Sequence, residues 1–541
     1  MKTKLKWLSM VLCGLLLITA PVLAQGGEPP HCPVAEGVPV GPQKTPPTLW
    51  FQGALPTDQI IIKYRASAGL SSSDMAGQPE RMVTLSRLVG LKLTYFRQMS
   101  GDAHVLKLPA KLPEADVFAI ARQLMTLPEV EYAEPDSIKR IGLTPNDPLY
   151  TQQWHYFGPF GIRLPEAWDV TTGASSVVVA VIDTGILFTH PDLAARTVAG
   201  YDFISDVWTA NDGDGRDADP GDPGDWVAAN DCGPGEPAQG SSWHGSHVAG
   251  TIGAASNNGV GVAGINWAAW ILPVRVLGRC GGYTSDIVDG MVWAAGLSVP
   301  GVPPNANPAR VLNLSLWGAG SCSFAEQNAI MFVLNAGATV VIIAGNANAD
   351  ASGYSPGNCN GVITVAATDS NGDRASFSNY GSIVEISGPG DGVLSTGNAG
   401  PTTPGAHTYT WKSGTSMAAP HVAGVASLLL SLRPGLTPDQ VLQVLQYGAT
   451  PWQAGSSCNA SICGTGIVNA ENTVRDIYVD GNYADTELGL PLQPFNTIGE
   501  AYGFAWKGAR LKIKAGSYPE TLTLSKKLDL VADGGTVTIG Q

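Results

Sequence analysis

Between residues 165 and 370 the chain repeats one pattern, in which short apolar runs are separated by segments with helical spacing. The runs fall at 175–185 (SSVVVAVIDTG), 269–277 (AWILPVRVL), 309–316 (ARVLNLSL), 338–346 (ATVVIIAGN) and 361–368 (GVITVAAT). They are continuous rather than alternating, which predicts strands buried on both faces of a parallel sheet. Helical patterns at 285–296 and 324–337 lie between them. The prediction is an α/β layered fold, with functional residues at the C-terminal ends of the strands.

The flanks read differently. Upstream, 58–67 and 103–109 predict strands and 113–130 an amphipathic helix, together a small α+β unit, and the polar, turn-rich 139–156 looks like a boundary. Downstream, 509–516, 520–525, 528–533 and 536–540 predict short strands like the opening rungs of a parallel β-helix. So short a stack is marginal alone, so it either packs on the preceding domain or continues in a longer form. A structural or secretion-related appendage is favoured over carbohydrate or surface binding. At the N-terminus, Lys2, Lys4 and Lys6 precede an apolar run at 7–20 and then Val22-Leu23-Ala24, the pattern of a secretory signal peptide. No later segment reads as apolar and long enough to span a bilayer. The expected organisation is 1–24 signal peptide, 25–54 Pro-rich linker, 55–141 α+β unit, 142–475 α/β domain and 476–541 β-rich tail.

The formal net charge of −14 argues against nucleic acid or an anionic membrane as the main partner. Export turns the cysteines into disulfide candidates, of which seven remain once Cys13 leaves with the signal. Cys32, in the Pro-rich stretch, is the odd one.

Three polar residues stand where such strands end or helices open: Asp183 in VVVAVIDTG, His244 in SSWHGSHVAGTIG and Ser416 in KSGTSMAAPHVAGVASLLL. Singly, each has a bland reading as turn former, packed imidazole or helix cap. His244 and His247 lack the HExxH context of a zinc pair. Together the three fit one need. A serine becomes a nucleophile when a histidine takes its proton, and a carboxylate fixes that histidine's tautomer. Asn346, just past another strand, is a candidate oxyanion donor.

The motifs Asp-Thr-Gly, His-Gly-x-His-Val-Ala-Gly and Gly-Thr-Ser-Met-Ala-x-Pro-His-Val-Ala-Gly, in the order Asp, His, Ser, resemble the subtilisin family of serine endopeptidases over roughly 145–475. The resemblance implies Asp183, His244 and Ser416 as triad, with Asn346 and the Ser416 backbone N–H as oxyanion hole. It implies a subtilisin-like parallel sheet flanked by helices, and an inhibitory prodomain at 55–141 whose tail is cut near 139–146. Ser315-Leu316-Trp317-Gly318 would wall the substrate cleft, with Ala344 and Gly345 also binding substrate. Two positions depart from the family. Ser246 stands for the usual Thr, and Trp317 for a Gly, where it either reshapes the P1 or P4 pocket or points to solvent. The resemblance also implies Ca²⁺ held by Asp147, Asp192, Asn258 and the carbonyls of Ala255, Val260 and Val262. The acidic stretch 211–225 adds Asp212, Asp214, Asp217, Asp219 and Asp222 as a second candidate calcium loop, or else forms a solvated, flexible insert. Similar secreted proteases imply the pairs Cys232–Cys280, Cys322–Cys359 and Cys458–Cys463. The expected product is a secreted, extracellular monomer acting on protein or peptide substrates, with its own prodomain as inhibitor.

Overall fold

The computed structural model describes residues 57–65, 79–137 and 143–540. The signal peptide, the Pro-rich linker and part of the expected processing stretch lie outside those residues. The chain divides into two compact units, with the boundary between Arg140 and Ile141.

The first unit is an antiparallel sheet in the spatial order Thr94–Gln98, Ala103–Leu112, Thr57–Tyr64, Val130–Pro135, with helices Pro79–Val89 and Glu114–Leu124. Ile60, Ile62 and Tyr64 point inward with strand period, and Val117, Ala121 and Leu124 meet them with helical spacing. The second helix stops at Leu124 rather than near 130. Met125–Leu127 close a turn, and Pro128 cannot extend the helix. Strand Thr94–Gln98 went unpredicted because all five residues are exposed, so no buried face marks it.

In the second unit, seven parallel strands run in the order Ile386–Pro389, Ile363–Thr368, Thr339–Ile343, Val311–Leu314, Val178–Asp183, Trp270–Arg275, Tyr201–Asp202. All five strands predicted from continuous apolar runs are present. Both faces are covered, which is why the runs do not alternate. Val179, Val181, Val341 and Ile343 face one core, shared with the helices His244–Gly253 and Thr415–Leu432. Ala180, Ile182, Val340 and Ile342 face the other, under Thr284–Ala294 and Phe324–Asn335. Helix Thr415–Leu432 is long and apolar enough to cross a bilayer by length and composition, contrary to the sequence reading. It is 89% buried inside this unit, as a helix apolar all round should be.

The tail packs within the second unit. Strands Asp476–Val479, Arg510–Tyr518 and Asp529–Ile539 stack in parallel over their own core of Ile477, Leu511, Ile513 and Ile498. Residues 520–525 are not a strand, and the two predicted segments 528–533 and 536–540 are one. Gly534 and Gly535, both at positive φ, take up the register shift that lets that strand run through. A buried ion cluster ties the tail to the domain: Glu471 binds Arg163 at 2.9 Å and Arg475 at 2.9 Å, Arg510 pairs with Asp476, and Arg475 reaches Asp529.

Candidate active site

Strand Val178–Asp183 lies between Trp270–Arg275 and Val311–Leu314, where successive strands are added to opposite sides of the sheet. A crevice opens at the carboxyl ends of such strands, and Asp183 ends this one. Its carboxylate is fully buried and accepts from Thr184 N at 2.8 Å. His244 opens the helix His244–Gly253, and its Nδ1 lies 2.8 and 2.9 Å from the two Asp183 oxygens. That contact selects the tautomer with the proton on Nδ1 and leaves Nε2 as the acceptor. The approach leaves no room for a side chain at position 245, where a Cβ on Gly245 would come within 2.3 Å of the Gly185 carbonyl and 3.1 Å of Asp183 Cβ.

Burial pulls the His244 pKa down, but the Asp183 carboxylate outweighs it, and the net shift is upward from the usual 6.5. The neutral imidazole is the form that accepts a proton. As pH falls through a raised pKa, the base is lost earlier than an ordinary histidine would be. Any reaction that uses this imidazole as its base is therefore expected to lose rate on the acid side with a midpoint above 6.5. A pH–rate profile with its acid limb at or below 6.5 would contradict this reading of the pair.

Ser416 is the second residue of helix Thr415–Leu432 and lines the same cleft as His244. Its hydroxyl donates to the Ser315 carbonyl at 3.4 Å rather than to His244, so it must swing to Nε2 before giving up its proton. Asn346 is oriented by the residue before Ser416: its Oδ1 accepts from Thr415 N at 2.8 Å and Thr415 Oγ1 at 2.9 Å. That contact leaves the amide hydrogens on Nδ2 unused by Thr415. Asn379, which sequence reasoning missed, anchors this turn by donating to Ala344 O and accepting from Ala347 N and Ala349 N.

A buried carboxylate–imidazole pair, a serine at a helix start in the same cleft and an amide oriented by the residue before that serine are the parts of a serine hydrolase. The subtilase family model matches residues 174–474. The chain belongs to the subtilase family of serine proteases. An extracellular protease of Xanthomonas campestris pv. campestris is 50% identical over 387 residues, covering 71% of this chain and 66% of that protein. The chain thus spans just under two thirds of that relative's length. An extracellular basic protease of Dichelobacter nodosus is 42% identical over 456 residues, covering 82% of this chain and 74% of its own. A solved protease structure from Pseudoalteromonas arctica, 52% identical, superposes with a TM-score of 0.59, covering 61% of this chain and 99% of that one.

The subtilase's cleft has a volume of about 470 Å³. Ser315, Leu316, Trp317 and Gly318 form one wall, and Ala344 and Gly345 precede Asn346 in sequence. Trp317 lines the cleft and packs edge-on against Tyr354 at 5.0 Å. Its ring also lies beside Gly345, where a Cβ would stand 3.5 Å away. The side chain at 317 thus borders the cleft while 40% of its surface stays exposed. Ser246 keeps the one group its position uses, a hydroxyl that accepts from Leu187 N at 2.9 Å. His247 turns away from His244, its Nε2 facing the Val393 and Thr410 carbonyls. All three disulfides form as the resemblance implied.

Of the first calcium set, Asp147 and Asp192 are buried and meet the loop 254–262. Asp147 accepts from Asn257 N at 2.7 Å, and Asp192 from Asn258 Nδ2 at 2.9 Å and Val262 N at 3.1 Å. Ala255 N donates to the Asp192 carbonyl, and Val260 N to Asn258 Oδ1. Burial raises both carboxyl pKa values. Gly261 is required, since a Cβ would come within 2.3 Å of Asp192 and closer still to Tyr409. Two buried carboxylates meeting one loop suit a hard divalent cation.

The acidic stretch is not a loose insert. Asp212 joins Asp202 on the buried Arg275 guanidinium, and Arg216 pairs with Asp286 and Asp289 at 2.7 Å each. Asp214 and Asp219 are exposed, and Asp217 accepts from Asp219 N. Asp222 is buried against Thr184. Among the described residues no three carboxylates of 211–225 converge, and the one ligand-type trio, Cys322, Glu326 and Cys359, contains a disulfide. Asp212 and Asp222 have protein partners of their own, on Arg275 and Thr184.

Proposed function

We propose that this subtilase is an extracellular serine endopeptidase, made with a signal peptide and an inhibitory prodomain at 55–141, that cleaves proteins through an acyl-enzyme. The observation that carries the reading is the Asp183–His244 contact, with His244 and Ser416 lining one cleft. His244 Nε2 takes the Ser416 proton as Oγ attacks the scissile carbonyl. The oxyanion is held by Asn346 Nδ2–H and the Ser416 N–H, which lies in the first helical turn and has no partner within the helix. The imidazolium then protonates the leaving amine, and water repeats the sequence on the acyl-enzyme. The relatives' names support an extracellular setting. The separate α+β unit ahead of residue 141 supports the zymogen.

The test is hydrolysis of casein together with labelling by a fluorophosphonate after prodomain removal. Correctly processed protein that neither cleaves nor labels would overturn the reading. Asp147, Asp192 and Asn258 would hold Ca²⁺, which would supply the positive charge that two buried carboxylates need. EDTA is expected to shorten the half-life of thermal inactivation, with excess Ca²⁺ restoring it. An unchanged half-life would remove calcium from the account.

A further inference from the structure

The helix that carries the catalytic histidine starts without an ordinary cap. Trp243, the residue before it, has φ 50° and ψ 36°, and no side chain at that position bonds the first turn. The opening N–H groups of a helix have no partners within it, so they must find them elsewhere. Here the first two find hydroxyls. His244 N donates to Ser242 Oγ at 3.3 Å, and Gly245 N donates to Thr184 Oγ1 at 3.0 Å.

Each hydroxyl is in turn fixed by one aspartate of the acidic stretch. Ser242 Oγ donates to Asp225 Oδ2 at 2.7 Å, while Ser242 N donates to Asp225 Oδ1. Thr184 Oγ1 donates to Asp222 Oδ2 at 2.8 Å, and Asp222 Oδ1 accepts from Gly224 N at 2.9 Å. The proton directions are consistent throughout, since each hydroxyl donates to a carboxylate and accepts from a backbone N–H. The stretch is itself clamped to the strand end, with Ile186 N on Pro220 O and Asp222 N on Ile186 O. The clamp is close: a Cβ on Gly185, at φ +97°, would meet the Pro220 carbonyl at 2.6 Å. Both carboxylates lie behind the positive end of the helix dipole, where negative charge is favoured.

We propose that Asp222 and Asp225 are positioning residues that hold the start of the catalytic helix through Thr184 and Ser242, fixing the His244 ring against Asp183. The proposal rests on His244 as the general base. Displacing a base by a fraction of an ångström affects the reaction step more than substrate binding.

The experiment compares mature wild type with Asp222→Asn, Asp225→Asn, Thr184→Val and Thr184→Ser, using active-site titration to count folded enzyme. Per titrated site, kcat is expected to fall roughly 10- to 100-fold for Asp222→Asn and Thr184→Val, with KM nearly unchanged, and Thr184→Ser to restore it. Asp222→Asn and Thr184→Val interrupt one relay, so their double variant should lose little more than either alone. Asp222→Asn with Asp225→Asn interrupts both, and those losses should multiply. A kcat within threefold of wild type for Asp222→Asn, or a loss reversed by excess Ca²⁺, would overturn the proposal. An inactive wild type would instead count against the protease reading itself.

Discussion

Ser416→Ala is expected to abolish peptide hydrolysis while leaving the fold intact. The Oγ carries the bond-forming electron pair, and among the described residues nothing else near Nε2 is placed to replace it. Its single hydrogen bond, 3.4 Å to Ser315 O, is weak, so its removal costs the fold little. The loss in kcat should be on the order of 10⁶, the scale known for the subtilisin triad. Fluorophosphonate labelling should vanish with it, and the thermal midpoint should stay within a few degrees. Casein cleavage by the pure variant at more than a hundredth of the wild-type rate would mean that another nucleophile does the work. The variant should also accumulate as uncut precursor wherever maturation depends on the same site.

Asn346→Asp is expected to cost about 10²- to 10³-fold in kcat with little change in KM. This scale is also the one established for subtilisin's oxyanion asparagine. The substitution is chosen for its geometry. An aspartate keeps the acceptor that Thr415 N and Oγ1 use, so the turn stays anchored, but places a carboxylate oxygen where the amide nitrogen stood. Asn346→Ala removes the anchor as well, and should lose at least as much kcat while lowering stability. A KM effect larger than the kcat effect in Asn346→Asp would show that the amide binds ground-state substrate instead of the oxyanion.

The sheet and the subtilase family were legible because both leave local marks. Strands buried on two faces must be apolar at every position, and the catalytic motifs need small residues at fixed offsets. Gly245 is such a mark, since the carbonyl of Gly185 leaves no space for a Cβ. What stayed hidden depends on partners distant in sequence. Asp212 pairs with the buried Arg275, 63 residues away, which no local pattern shows. Asp222 looked like one more carboxylate in an acidic run, and only the folded chain brings it to Thr184, 38 residues earlier. The middle of the tail failed for a different reason. Residues 520–525 have strand-like composition, yet most are exposed and none enters the sheet, so propensity had no packing to back it.

The ion cluster at Glu471 changes what the tail can be. That carboxylate is nearly inaccessible to water, and Arg510 and Asp529 both come from beyond residue 475. A chain ending at Arg475 would leave Arg475 without Asp529 and Glu471 with one cation fewer. Unpairing buried charges costs far more than trimming a surface. The tail is therefore joined to the domain through buried charge, and an engineered boundary placed at 475 would cut into that ion cluster.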